Sequence, residues 1–294
     1  MDLQADYARC TALAESHYEN FPVGRLVPAA IRPHVHAVYA FARVADDLAD
    51  EGYVPSPGET RPVLTPEQRI TALDHYEEQF DRALRGLSLD EETGWIFRPV
   101  ADSVEKKHLP PVLFRDLLSA FRQDVVKKRY ENHTELLDYC RRSANPIGRL
   151  VLHLHDYHGE EEHLLSDHIC TALQLTNFWQ DISVDLLKDR IYLPQEDMRA
   201  FGFDETRLFR GEFGPEVASC VEFQVNRAWH LFDLGRPLPA RLHKLLRWEI
   251  GLTWLGGTTI LLKIKKQGYN TLHRRPKLGK LELLRLLPAA WFVR

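Results

Sequence analysis

Asn177-Phe178-Trp179-Gln180-Asp181-Ile182-Ser183-Val184-Asp185 is the stretch on which the reading of this chain turns. Its Asn and two Asp residues recur at intervals of four, so on a helix they stack on one face about a turn apart. The flank from Leu173 to Ile182 is strongly apolar, and carboxylates carried into such a helix are costly unless a cation compensates them. A Lys or Arg side chain can be that cation. Oxygen ligands without a nearby His or Cys suit Mg²⁺ better.

A second acidic stretch lies about 130 residues upstream, Asp46-Asp47-Leu48-Ala49-Asp50. Tyr39, Arg43, Asp46 or Asp47, and Asp50 follow at helical spacings and share a face, while Val38, Ala42, Ala45 and Ala49 fall on the neighbouring one. Taken alone, this is equally a solvated acidic turn with an Arg43 to Asp47 ion pair. Taken with the first stretch, two acidic faces turned toward one cavity make a site for Mg²⁺ and a diphosphate. The basic residues of Lys188-Asp189-Arg190-Ile191-Tyr192-Leu193-Pro194 suit the remaining phosphate oxygens, or simply cap a helix C-terminus. Carboxylates cannot hold a diphosphate directly. A bridging metal also stabilises it as a leaving group, which implies ionisation of a carbon–oxygen bond. The resulting carbocation needs a dry aromatic lining, for which Phe21, Tyr39, Phe41, Tyr139, Phe178, Trp179 and Tyr192 are available, although any single aromatic is more often core.

Helical spacing recurs along the chain and sustained period-two alternation is absent, so the spacing predicts an all-α protein. Helices are expected at 3–19, 28–51, 66–87, 91–106, 110–127, 133–158, 161–187, 214–234, 238–267 and 277–288, in one compact domain. The loop from Gly52 to Pro66 follows the upstream motif and can serve as a lid or be ordinary surface. Across 294 residues, 44% are hydrophobic and 27% charged, as in a globular protein, and a net charge of −4 argues against nucleic acid as partner. Cys10, Cys140, Cys170 and Cys220 are scattered and read as buried thiols of a reducing compartment. The N-terminus lacks a signal-peptide pattern, and the longest apolar stretch, Ile250 to Leu262, is too short to span a bilayer. A cytoplasmic protein is expected. The tail from Lys277 to Arg294 alternates basic and apolar residues, which suits either a helix packed on the core or one lying on a membrane surface.

These residues resemble the squalene/phytoene synthase family of head-to-head isoprenoid synthases. The blocks that carry the resemblance are His17-Tyr18-Glu19-Asn20-Phe21-Pro22-Val23, Tyr39 through Glu51, Tyr139 with Ser143-Ala144-Asn145-Pro146-Ile147-Gly148, Asn177 to Asp185, Asp189 to Pro194, and Gly268-Tyr269 through Arg275. The resemblance implies an isoprenoid-synthase fold around a central cavity. It also implies Mg²⁺ as cofactor, with Asp46, Asp50, Asp181 and Asp185 as ligands and Asn177 assisting. Arg43, Arg190 and Arg275 would contact diphosphate, His17 and Phe21 would stand beside the substrate, and Tyr39, Tyr139 and Tyr192 would lie near the reacting carbons. Gln180 stands where many members carry Arg, and Val184 where many carry an acidic residue.

Within the family, the His17 block and the Asn-Phe-Trp-Gln-Asp form of the second motif are most similar to a bacterial hopanoid-pathway branch. That likeness implies that presqualene diphosphate loses its diphosphate and that water, rather than hydride, captures the rearranged cation, giving hydroxysqualene. Gln180 and Asn145 are candidates to position that water. His17 either helps deprotonate it or is a helix-end histidine bonded to backbone. The alternatives are condensation of two farnesyl diphosphates, onward reduction to squalene with a nicotinamide donor, or a non-catalytic scaffold. A C30 substrate further implies contact with a membrane, or hand-over to neighbouring enzymes of the squalene pathway.

Overall fold

The computed structural model describes residues 2–16, 27–50 and 64–293. Helices run Leu3–Ser16 (α1), Arg32–Ala49 (α2), Pro66–Leu84 (α3), Gly94–Lys107 (α4), Pro111–Val126 (α5), His133–Ser143 (α6), Asn145–Leu154 (α7), Glu160–Gln180 (α8), Ile182–Asp185 (α9), Gln195–Ala200 (α10), Glu205–Phe209 (α11), Pro215–Gly235 (α12), Leu238–Arg241 (α13), Lys244–Lys266 (α14) and Lys280–Ala289 (α15). The expected all-α class is what the chain adopts. An isolated bridge between Arg129 and Ile191 is the sole β pairing among the described residues. No helix among them is long and apolar enough to cross a membrane.

Two compact units are present, Met1–Val126 with Arg149–His158, and Lys127–Gly148 with Gly159–Arg294. In the first, α2 is amphipathic and its apolar face supplies Phe41 to the centre of the core. The Phe41 ring centroid lies 5.0–5.3 Å from those of Tyr76, Phe80 and Phe114. Such a cluster adds edge-to-face attraction to burial. The position of Phe41 corrects one expectation, because a fully buried core ring cannot line a substrate cavity.

In the second unit, α8 packs along α12 and α14. Small residues set the approach: a Cβ at Gly235 would sit 2.5 Å from Ile169 Cγ1, and one at Gly257 would sit 2.4 Å from Phe232 Cζ. The four cysteines are free thiols, three of them buried.

Several expected helices are divided, each for a local reason. The span 133–158 breaks at Ala144, before Asn145-Pro146, where proline lacks the N–H that would continue the ladder and instead fits a first helical turn. The span 238–267 breaks at Leu242, and α14 restarts with the His243 ring accepting from the Leu246 N–H. The span 161–187 is divided at Asp181. Two short helices after Pro194, α10 and α11, were not anticipated.

Candidate functional site

In the first unit, α2 delivers Tyr39, Arg43, Asp46 and Asp47 at its C-terminal end. Arg43 donates to Asp47 through Nε at 3.2 Å and lies 2.7 Å from it through Nη2. The ion pair of the simpler reading is therefore real, and Asp47 is its acid. Asp46 is exposed. Asp50 lies just past the helix rather than on it: it is the C-cap, with extended backbone (φ −74°, ψ 128°), and its N–H donates to the Asp46 carbonyl. Arg69, which the sequence gave no reason to single out, is buried and donates to the Ala49 carbonyl at 3.0 Å. A cation at a helix C-terminus satisfies an orphan carbonyl and the macrodipole together, which fixes the end of α2 beside Asp50. The Tyr39 phenol is half-buried, and burial pushes its pKa up. His17 and Phe21 lie outside the described residues, as does most of the Gly52 to Pro66 loop.

In the second unit, α8 ends at Gln180. Asp181 is its C-cap (φ −106°, ψ 13°), and the chain re-enters a short helix ending at Asp185. The spacing of four survives this break, because the Asp181 N–H still donates to the Asn177 carbonyl and the Asp185 N–H to the Asp181 carbonyl, both at 2.9 Å. Asn177 is exposed, Asp181 buried and Asp185 half-buried. Burial, with the Asp181 charge adjacent, pushes the Asp185 carboxyl up to about 7, against the opposing pull of Arg190, Lys188 and Arg275.

Arg275 provides the side-chain cation that the sequence left as one option for this motif. Its Nε and Nη2 both donate to the Asp181 carboxylate, the second bond at 2.9 Å. Two further bonds hold the segment carrying it. Gln180 Nε2 donates to the Pro276 carbonyl at 2.6 Å, and Gln267 Nε2 donates to the Arg274 carbonyl at 2.8 Å. Gln180 therefore spends its amide donor on the chain. Asn145 is buried, its Oδ1 accepting from Thr171 Oγ1 at 2.9 Å, which fixes the orientation of its amide.

The aromatic residues of this unit gather around the same motif. Phe178 and Tyr192 stack at 3.7 Å with their planes 9° apart, and Tyr130 stacks on Tyr192 at 5.7 Å. Tyr139 lies 6.1 Å from Phe178. Tyr130 was missed: it stands outside every quoted block, and only the backbone pairing of 128–131 with 191–196 brings it there. Arg129 clasps Asp189 and Glu205 and so anchors that pairing. Phe178, Ile182, Asp185, Arg190, Tyr192 and Leu208 line a narrow cleft with about 10 Å³ of room, close to the minimum for a single water. Trp179, by contrast, is wholly core.

No cluster of three His, Cys, Asp or Glu residues among the described residues is gathered as a ready metal cage. The donor chemistry nevertheless fits a hard divalent cation. Two neighbouring carboxyls, one of which gives up its proton only near neutrality, form a pair that added positive charge would ionise.

The squalene/phytoene synthase family profile matches residues 13–282. The chain belongs to the squalene/phytoene synthase family. Its members include a hydroxysqualene synthase from Zymomonas mobilis, 39% identical over 229 residues, covering 76% of this chain and 71% of that one. Another from Sinorhizobium fredii is 32% identical over 271 residues, covering 90% and 85%. Among solved structures, squalene synthase HpnC from Alicyclobacillus acidocaldarius superposes with a TM-score of 0.81 at 38% identity, covering 91% of this chain and 96% of its own. The fold is thus that of the squalene synthases, the isoprenoid-synthase fold.

Proposed function

We propose that this family member converts presqualene diphosphate and water to hydroxysqualene and diphosphate, with Mg²⁺ as cofactor. The observation that carries the reading is the likeness, over most of the chain, to two hydroxysqualene synthases. Mg²⁺, when bound, supplies charge that stabilises the departing diphosphate. Asp46 and Asp50 in the first unit, and Asn177, Asp181 and Asp185 in the second, are its proposed ligands. Arg43, Lys188 and Arg190 add positive charge for phosphate oxygens. Breaking the carbon–oxygen bond leaves a cyclopropylcarbinyl cation, and ring faces uncovered on parting the Phe178–Tyr192 stack, with Tyr139 beside it, would attract such a charge. Tyr39 is the candidate aromatic of the first unit. Water then bonds to the rearranged cation and releases a proton, completing the alcohol.

Asn145 is the favoured residue for placing that water, because Thr171 fixes its Oδ1 and so leaves the amide N–H₂ a defined direction. Gln180 is given a different role, holding the 275–276 segment. The apolar substrate and product suit collection from, and delivery to, a membrane or a neighbouring pathway enzyme. The test is to incubate purified protein and Mg²⁺ with presqualene diphosphate or with farnesyl diphosphate, each with and without NADPH, and to identify the lipids formed. Hydroxysqualene from presqualene diphosphate without NADPH is expected. Consumption of farnesyl diphosphate with no hydration of presqualene diphosphate would overturn the reading.

A further inference from the structure

The last eighteen residues, Lys277 to Arg294, contain four basic residues and a single acidic one, in a chain whose net charge is −4. One face of α15 and of the 3₁₀ turn after it is fastened down. Trp248 Nε1 donates to the Leu287 carbonyl at 2.8 Å, and Ala290 and Val293 are buried. A Cβ at Gly251 would meet the Ala290 oxygen at 2.4 Å, so the turn rests directly on α14. Glu282, the one acid, is paired with Lys263 at 2.6 Å.

The opposite face carries large apolar side chains: Leu281 is 74% exposed, Leu284 61%, Trp291 45% and Phe292 77%. Residues 281, 284, 288 and 291 form a single stripe at helical spacing, with Lys277, Lys280 and Arg285 exposed beside it.

We propose that this stripe is a docking surface for a phospholipid bilayer bearing anionic headgroups. A rigid, pinned helix with apolar side chains outward and lysine or arginine flanking them sinks its apolar face to the acyl boundary while its cations meet lipid phosphates. Two features disfavour a second copy of the chain as occupant. Four such side chains offer on the order of 500 Å², below the roughly 800 Å² a side of a standard interface. A two-fold contact would also bring Lys280 and Arg285 toward their own copies. The inference deepens the proposed function and rests on it for its purpose, since a C30 diphosphate and its alcohol both reside in lipid.

The experiment is flotation of the full chain with vesicles of phosphatidylcholine alone, and of phosphatidylcholine and phosphatidylglycerol in equal parts. Wild type is expected to float with the anionic vesicles and to be released by high salt. Leu284→Ser with Phe292→Ser, and separately Lys280→Glu with Arg285→Glu, are each expected to weaken partitioning at least about tenfold while circular dichroism stays unchanged. Absence of wild-type flotation, or double variants that float like wild type, would overturn the proposal. So would a wild-type dimer in sedimentation velocity that the Leu284/Phe292 variant converts to monomer. Turnover of detergent-dispersed presqualene diphosphate is measured separately. A chain that floats but makes no alcohol refutes the proposed reaction, and one that makes alcohol but does not float refutes the docking.

Discussion

Replacing Arg275 by Ala tests how the second acidic motif is held in the absence of metal. Arg275 makes two bonds to Asp181, whose side chain is 13% exposed against 37% for the arginine. Leaving one member of a fully buried ion pair alone costs about 3–5 kcal/mol, while an exposed pair contributes about 1 kcal/mol or less. The carboxylate here is near the buried limit, and the guanidinium is open enough for water to screen it. A loss of about 2 kcal/mol follows from that intermediate position. At a urea slope of about 3 kcal/mol per molar, the midpoint falls by about 0.7 M. Lysine at 275 restores only part of this, because a single ammonium cannot reproduce the two-pronged geometry. Saturating Mg²⁺ should shrink the deficit, since a bound cation supplies the charge that Arg275 no longer does. Urea unfolding with and without Mg²⁺ measures both effects. A loss under about 0.5 kcal/mol, the range of an ordinary surface substitution, or a deficit indifferent to Mg²⁺, would refute the reasoning.

Gln180→Ala should cost about 1 kcal/mol through its lost bond to the Pro276 carbonyl, and a double-mutant cycle with Arg275→Ala should be non-additive, because both residues act on one segment. Stability should also fall with rising pH. The Asp185 carboxyl, pushed up to about 7, and that of Glu249, pushed up to about 7 by burial on α14, both titrate higher folded than unfolded. Their contribution is thus complete below about pH 4 and lost as pH climbs through about 7. Asp185→Asn and Glu249→Gln should each remove about 1–3 kcal/mol of that decline, read from urea midpoints across the range. Gly257→Ala should lower stability by about 1–3 kcal/mol in thermal melts, because the new methyl would meet Phe232 Cζ at 2.4 Å and Leu173 Cδ2 at 2.8 Å.

Helix class and the membership of both acidic motifs were legible because they are local: periodicity, proline breaks and carboxylates at intervals of four lie within single stretches of sequence. What escaped was long-range. Arg69 caps α2 from twenty residues away, Arg275 reaches Asp181 across ninety-four, and Tyr130 joins Tyr192 only through backbone pairing. Phe41 took the core role for a related reason, since an aromatic beside a motif can face the site or the core, and about half a helix turn separates the two. The resemblance did name Arg275 as functional. It did not disclose that this residue would stand against Asp181.

The contact between Arg275 and Asp181 changes what the acidic motif demands of a cation. Asp181 and Asp185 are one helical turn apart, and the second holds its proton up to about pH 7 even with Arg190, Lys188 and Arg275 pulling the other way. Three cations therefore do not suffice to ionise both carboxyls fully. A segment serving stability alone would gain from an amide at 185, which keeps the hydrogen-bonding capacity and removes the charge. Retaining the acid makes physical sense where a further positive charge arrives in use, and a divalent ion meets that need more compactly than another side chain. On this argument Arg275 satisfies one carboxylate, and the proposed Mg²⁺ would meet the demand of the other. It follows that Mg²⁺ binding should release about half a proton at pH about 7 and close to one at pH about 6, and that Asp185→Asn should abolish the release.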